Sequence, residues 1–301
     1  MRPKVGEDCA VVGFGEQACV LSTDPITASA ERIGSLAVHV SCNDIAARGI
    51  EPLGIMLTVL LPPGVTEGDI RTIMSQAAEA AEELNIEIIG GHTEITEAVT
   101  RPVISATAIG SVDTRRPGAE PPKPGDKILV TKKLAMEGTG IIALERGDEL
   151  RGFLTVDEIG RARAMLDGIS VVREGAVAGR VGFTAMHDIT EGGVLGALWE
   201  LCTLWSLGAK IDEDLLPIDD VTRKISDYYG LDPLRLISSG SMMIFARPGQ
   251  AEDIKAALKG EAYVTEIGEV KGASEGITMW RGKAGGPVAV DPPGSDEIYR
   301  L

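Results

Sequence analysis

Aromatic side chains are scarce in this sequence: four phenylalanines, four tyrosines and three tryptophans amount to 4% of 301 residues, against 37 glycines. A core built without rings is filled by Ala, Val, Ile and Leu, and with this much glycine the composition suits tightly turned α/β or α+β structure. Cysteine is rarer still. Cys9, Cys19, Cys42 and Cys202 form no C-x-x-C pair and have no zinc-like spacing, so the plain reading is reduced thiols. No run reaches the roughly 18 apolar residues of a membrane span, and nothing at the start resembles a signal peptide; the expectation is a cytoplasmic protein with no membrane partner. Basic residues are outnumbered, 29 to 45, and the net charge of −16 repels nucleic acid and anionic membranes. A nucleotide is not excluded, because metal ions can screen its phosphates and surplus carboxylates recruit metals. A Walker-type G-x-x-x-x-G-K-[ST] loop is also missing, so phosphate charge would have to be neutralised largely by metal.

What is present suffices for two domains. The 44% hydrophobic content supports sizeable cores. Strand-like runs at 9–12 and 18–21 flank Gly13 and Gly15 and read as a hairpin. A mostly apolar helix follows over 34–48, then a strand over 53–61, an Ala-rich helix over 67–84 capped by Thr66, and strands over 86–89 and 102–112. This β-β-α-β-α-β-β order predicts an α+β domain with helices on one face of a mixed sheet. Between 113 and 125 stand four prolines and two glycines, the best boundary in the chain. The reading is an N-terminal domain over 1–113, a linker over 114–125 and a C-terminal α+β domain over 126–301.

Polar residues gather where apolar runs stop. In NIEIIGGHTEIT (85–96), a short buried strand is expected to end at Gly90 and Gly91 and to deliver His92, Thr93 and Glu94. Hairpin pairing would bring Asp8 near Asp24. Asn43 and Asp44 interrupt the apolar face of the 34–48 helix, and unpaired charges avoid a packed core, so both are expected in a polar cleft. A strand over 183–186 leads into HDITEGG (187–193) and a helix over 194–206. There Asp188, Thr190, Gly192 and Gly193 surround a helix start whose free N–H groups favour anions, unless Thr190 or Asp188 simply caps the helix. The segment GTGIIA (138–143) fits G-x-G-x-x-A formally. It lacks the acid that a dinucleotide fold places after a second parallel strand.

The segments GEDCAVV (6–12), STD (22–24), CNDIAARGIEP (42–52), IIGGHTEIT (88–96), HDITEGGV (187–194) and YVTEIGEV (263–270) together resemble the superfamily of aminoimidazole ribonucleotide synthetase, the PurM-like proteins. Thiamine-monophosphate kinase, selenophosphate synthetase and the hydrogenase-maturation protein HypE are other members. The motifs run in the family's order across nearly the whole chain. The resemblance implies a two-domain PurM-like fold, a homodimer in which N-terminal domains pair their sheets, and ATP with Mg²⁺ bound along an acid-lined cleft. Carried over by position, Asp8, Asp24, Asp44 and Asp188 correspond to metal-binding carboxylates. Asn43, Gly90, Gly91, Thr93, Thr190, Gly192 and Gly193 correspond to nucleotide-binding positions, and His92, Glu94 and His187 are the candidates for catalysis.

Departures shape the functional expectation. Thiamine-monophosphate kinase has an Asp where this chain has His92. HypE resembles the second-domain loop, but active HypE ends in a cysteine and this sequence ends DEIYRL. Only five residues precede Gly6, whereas family members carry a glycine-containing segment there that can close over phosphates. The leading expectation is an ATP-dependent, HypE-like enzyme that activates an amide or carboxamide oxygen, on a small-molecule or protein-borne acceptor, by phosphoryl transfer. A phosphotransferase resembling thiamine-monophosphate kinase or selenophosphate synthetase is one alternative. A nucleotide-binding accessory protein without turnover is another.

Overall fold

The computed structural model describes residues 9–27, 31–114, 119–282 and 285–301. Contacts divide the chain into two compact units, Met1–Pro117 and Gly118–Leu301, and the division falls inside the stretch 114–125.

The first unit runs β1 (Ala10–Phe14), β2 (Gln17–Ile26), α1 (Ile33–Ala47), β3 (Pro52–Leu61), α2 (Glu67–Glu83), β4 (Glu87–Ile95) and β5 (Val103–Asp113). The strands form one sheet in the order β1-β2-β5-β3-β4, antiparallel except for the β3/β4 pair. This is the expected mixed sheet. Alternation decides which side is covered: Ile55, Leu57, Val59 and Leu61 of β3 and Ile104, Ala106 and Ala108 of β5 are buried, while Met56 and Thr58 between them are exposed. Helix α1 is mostly small or apolar and is buried along nearly its whole length, because it packs against both the sheet and α2. Gly34 permits this. A Cβ there would stand 2.2 Å from the Ile73 carbonyl of α2. Gln76 locks the approach by accepting from Gly34 N (3.2 Å) and donating to Glu31 O (2.7 Å). Helix α2 begins at a capping box in which Thr66 Oγ1 accepts from Asp69 N and the Asp69 carboxylate accepts from Thr66 N.

Among the described residues of the unit, none covers the opposite face of this sheet. Val12 is 44% exposed and Met56 45%.

Strand β4 differs from its expectation. It is not a buried strand that stops at the glycines; it continues through them to Ile95, forms the edge of the sheet and is exposed almost throughout. The apolar run 86–89 suggested burial, but an edge strand lacks a neighbour on one side, and only a few residues of α2 reach it. The glycines serve the pairing. The register shifts by one residue between Ile55 and Met56, and after the shift Gly91 faces Leu57. A Cβ on Gly91 would lie 2.0 Å from the Leu57 carbonyl oxygen, whereas one on Gly90 would meet nothing closer than the end of Met56, at 3.9 Å.

The second unit contains β6 (Lys127–Thr131), α3 (Met136–Glu145), α4 (Gly147–Leu150), α5 (Val156–Ala164), α6 (Val172–Val181), β7 (Ala185–Ile189), α7 (Gly193–Leu204), β8 (Leu207–Asp212), α8 (Asp220–Tyr229), β9 (Ser241–Ala246), α9 (Pro248–Ala257), β10 (Val264–Gly272), β11 (Ile277–Trp280) and β12 (Pro287–Ala289). Its sheet has the order β12-β11-β8-β10-β6-β9-β7. One core joins α7 to the sheet through Val194, Leu198, Leu201, Ile128, Phe245 and Ile267, and a second joins α3, α5 and α8 through Ile142, Ile159 and Ile225. The glycines of GTGIIA belong to packing, not to phosphate. Added Cβ atoms at Gly138 and Gly140 would lie 2.5 and 2.4 Å from the side chains of Leu236 and Leu166. The strand expected over 183–186 is displaced to 185–189, so His187 and Asp188 are strand residues and not loop residues.

Gly91→Ala is expected to cost about 3 kcal/mol of stability by forcing β3 and β4 apart, while Gly90→Ala is tolerated. Urea unfolding of the two variants checks this.

Candidate functional site

In the first unit the acids of interest meet where β2 passes α1. Ser22, buried on the α1 side of β2, donates its hydroxyl proton to Asp44 Oδ2 at 2.5 Å. Asp44 is only 5% exposed, and Asn43 beside it is fully buried. The expectation of a polar cleft is met only in part, since α1 is enclosed on all sides and its acid is paired with a hydroxyl. Asp24 follows Ser22 by two residues, so it emerges on the same face of β2, half-buried. Asp24 and Asp44 are thus brought to one region. Asp8 lies outside the described residues.

Cys9 and Cys42 frame the same region. The Cys9 thiol donates to the Asp44 carbonyl at 3.3 Å, and burial, reinforced by the charge of Asp44, pushes the Cys42 thiol up to about 12. Cys42 stays a neutral thiol at any physiological pH.

His92, Thr93 and Glu94 are placed elsewhere. His92 pairs with Thr58 across β3/β4 and shares the uncovered side of the sheet with Glu94, 3.7 Å from its ring. Strand β4 is three strands away from β2, roughly 14 Å at the usual spacing, and His92 is on the opposite face from Ser22. Within the first unit, the structure does not bring His92, Thr93, Glu94, Gly90 or Gly91 together with Asp24, Asn43 and Asp44.

In the second unit β7 delivers His187 and Asp188, both buried. His187 Nδ1 faces the Asp188 carbonyl at 2.6 Å, and Nε2 faces Glu200 Oε2 of α7 at 3.1 Å. Both ring nitrogens therefore meet oxygen acceptors, and the ring anchors the strand end to α7. Asp188 is 0% exposed, and neither of its carboxylate oxygens receives a hydrogen bond from the described residues; His187 Nδ1 stands 3.7 Å from Oδ1. A buried carboxylate without donors needs a counter-charge, so this aspartate fits a cation.

The turn after Asp188 is formed by backbone. Thr190 O accepts from Gly193 N (3.1 Å) and Ser238 N (3.3 Å), and Gly192 and Gly193 take successive left-handed conformations, φ 77° and 61°. Neither Thr190 nor Asp188 caps α7, whose start has no side-chain cap. The Gly192 amide donates instead to Asp296 Oδ2 at 2.7 Å, across 104 residues of sequence. Sequence reasoning missed this carboxylate, because an aspartate in a Pro-Gly-Ser-rich stretch carries no local signal of a distant partner.

It also missed Glu137, on the first turn of α3. This residue is 4% exposed, and its Oε2 has no hydrogen-bond partner among the described residues. Burial pushes its carboxyl up to about 7; Asp296 and Glu191 add to the rise, and the Ser239 hydroxyl and amide oppose it. Because the folded value lies above the unfolded one, this proton stabilises the fold fully below about pH 4.5, and the contribution is lost as pH rises to about 7. Glu137→Gln, a neutral isostere, should raise the melting temperature at about pH 8 and change it little at about pH 5. Thermal melts at the two pH values check the sign.

Among the described residues, no three His, Cys, Asp or Glu side chains converge as a metal site. Mg²⁺ commonly takes only one or two carboxylates, with phosphate oxygens and water completing its octahedron.

Comparison with known proteins adds to this geometry. Residues 6–112 match the family "AIR synthase related protein, N-terminal domain", and residues 123–281 match "AIR synthase related protein, C-terminal domain". A Methanocaldococcus jannaschii protein named for hydrogenase expression and formation is 29% identical over 82% of this chain and 73% of its own length. The carbamoyl dehydratase HypE of Cupriavidus necator is 28% identical over 89% of this chain and 76% of its own length. Among solved structures, a HypE–HypF complex superposes with TM-score 0.80 at 25% identity, covering 96% of this chain and 94% of that one. HypE in complex with ATP superposes with TM-score 0.78, covering 93% and 86%; at 23% identity that likeness speaks for the fold.

Proposed function

Because this chain belongs to the AIR synthase related protein family through both its N-terminal and its C-terminal portions, we propose that it is an ATP-dependent enzyme of the HypE type. In this reading it activates a carboxamide oxygen by phosphoryl transfer so that the amide can be dehydrated, and it serves hydrogenase maturation. The observation that carries the reading is Asp188, a fully buried carboxylate with no hydrogen-bond donor among the described residues, at a strand end four residues before the glycine turn. The relatives named carbamoyl dehydratase HypE supply the substrate class, and a HypE structure with ATP supports the nucleotide.

Taken unit by unit, the carboxylates fit Mg²⁺: Asp24 and Asp44 would serve as ligands in the first unit, with Asp8 outside the described residues, and Asp188 would serve as a ligand in the second. When bound, Mg²⁺ neutralises phosphate charge in a chain that has no Walker lysine. Each residue has its own task. Ser22 holds the Asp44 carboxylate through Oδ2. His187, held at both ring nitrogens, orients the Asp188 backbone. Asn43 and the Thr190–Gly193 turn serve nucleotide binding. His92 and Glu94, on an exposed edge, can act on a substrate only if something covers that edge.

A second copy of the chain is proposed as that cover, in a homodimer that pairs the uncovered sheet faces. A protein-borne acceptor is in keeping with relatives that form a HypE–HypF complex.

Asp24→Asn and Asp44→Asn should each weaken Mg-ATP binding by more than about tenfold while the fold survives, as isothermal titration and circular dichroism can show. Phosphate release across carboxamide acceptors tests turnover, and tight Mg-ATP binding with no release under any condition would favour the accessory reading. The dimer has its own test. Met56→Glu, on the open face, should convert a dimer into a chain of 31.6 kDa by light scattering. Leu57→Glu instead strikes the core beneath α1, where Leu57 is 3% exposed, and should unfold the unit.

A further inference from the structure

The Gly192–Gly193 turn has little support of its own. Two successive left-handed residues begin α7 without a side-chain cap, and a Cβ on Gly193 would lie 2.5 Å from the Leu234 carbonyl oxygen. What holds the turn comes from beyond residue 290. Asp296, 3% exposed, accepts from Gly192 N through Oδ2 (2.7 Å) and from Ile237 N (3.2 Å) and Ile298 N (2.8 Å) through Oδ1. Ile237 precedes Ser238, whose amide donates to Thr190 O, so one carboxylate ties both flanks of the turn. Tyr299 adds a hydrogen bond from its hydroxyl to Glu191 Oε1 at 2.7 Å. Pro293 lies against Gly192, its Cβ 3.4 Å from where a Gly192 Cβ would stand.

We propose that Asp296 is a positioning residue: by fixing the Gly192 amide and the Ile237–Ser238 backbone together, it sets the shape of the Thr190–Gly193 turn and through it the aim of the Asp188 carboxylate. The inference rests on the nucleotide-binding reading above. Asp296 acts through the backbone it holds.

Glu137 makes this arrangement sensitive to pH. The groups that face it are Ser239 from the preceding loop of β9, Glu191 from the turn, and Asp296 and Tyr299 from the 291–301 segment. Protonated, Glu137 adds no charge beside Asp296. Ionised, above about 7, it places a like charge next to the carboxylate that holds the turn.

The test uses the whole chain and two substitutions that differ in one bond. Asp296→Asn keeps Oδ1 with its two amides but turns an NH₂ donor toward the Gly192 N–H, while Asp296→Ala removes all three bonds. Amide hydrogen exchange read residue by residue, together with isothermal titration of Mg-ATP at several pH values between about 6 and 8, measures turn and ligand separately. The expected result for Asp296→Asn is exchange about tenfold faster at Gly192 with Ile298 still protected, and Mg-ATP affinity lower by about tenfold. Asp296→Ala should lose protection at all three amides. Wild-type affinity should fall as pH rises through about 7, and Glu137→Gln should flatten that dependence.

Unchanged exchange at Gly192 in Asp296→Asn would overturn the proposal. So would faster exchange with unchanged affinity, and so would tighter binding, which would make Asp296 a competitor for phosphate at the turn. If the wild-type chain binds no Mg-ATP, the nucleotide reading and the role toward Asp188 fall together, and exchange alone decides whether Asp296 holds the turn.

Discussion

Burying a carboxylate is costly unless something compensates for its charge, and six among the described residues are at most 5% exposed: Asp126 and Glu174 are paired with Arg247 and Lys132, and the other four are Asp44, Asp296, Glu137 and Asp188. Three of these four are compensated, each in its own way. Asp44 receives the Ser22 hydroxyl, Asp296 receives three backbone amides, and Glu137 retains its proton to about pH 7. Asp188 has none of these. Its oxygens accept no hydrogen bond among the described residues, and the His187 ring at 3.7 Å is engaged with a carbonyl and with Glu200. The uncompensated member of the set is the one that stands at the end of a strand beside a glycine turn, which is where a cation and a phosphorylated ligand are most useful to each other.

The fold makes these burials affordable through close backbone approach. Gly34 lets α1 and α2 touch, so α1 is enclosed and its Asp44 has to find a partner inside the protein. Gly193 lets the turn lie against the Leu234 carbonyl, which brings the Gly192 amide to Asp296. Gly91 serves the register of an edge strand and not a ligand turn. Similar glycines therefore do different work, and only their neighbours tell them apart.

Much of the fold was legible in the chain. The strand-like runs at 18–21 and 102–112 and the Thr66 cap are local signals, and the elements they announce are present. The reading failed where tertiary placement overrides a local pattern. Residues 86–89 look like a buried strand but lie on an edge, and the strand leading to Asp188 is displaced because Ala185–Ile189 pair with β9, a neighbour more than fifty residues away. Strand β8 and helix α8 were not anticipated at all, since Gly208 and Lys210 interrupt one and polar residues dominate the other.

For the candidate site the division is similar. Residue types and spacing singled out Asp24, Asn43, Asp44 and the HDITEGG turn, because acids and glycines that interrupt apolar runs are visible without coordinates. The structure alone separated His92 and Glu94 from Asp24 and Asp44, since the face a strand residue occupies depends on which neighbour its strand pairs with. It alone supplied Asp296 and Glu137. Contacts spanning 104 residues leave no trace in local sequence, and a carboxyl group acquires its proton only from the burial that folding imposes.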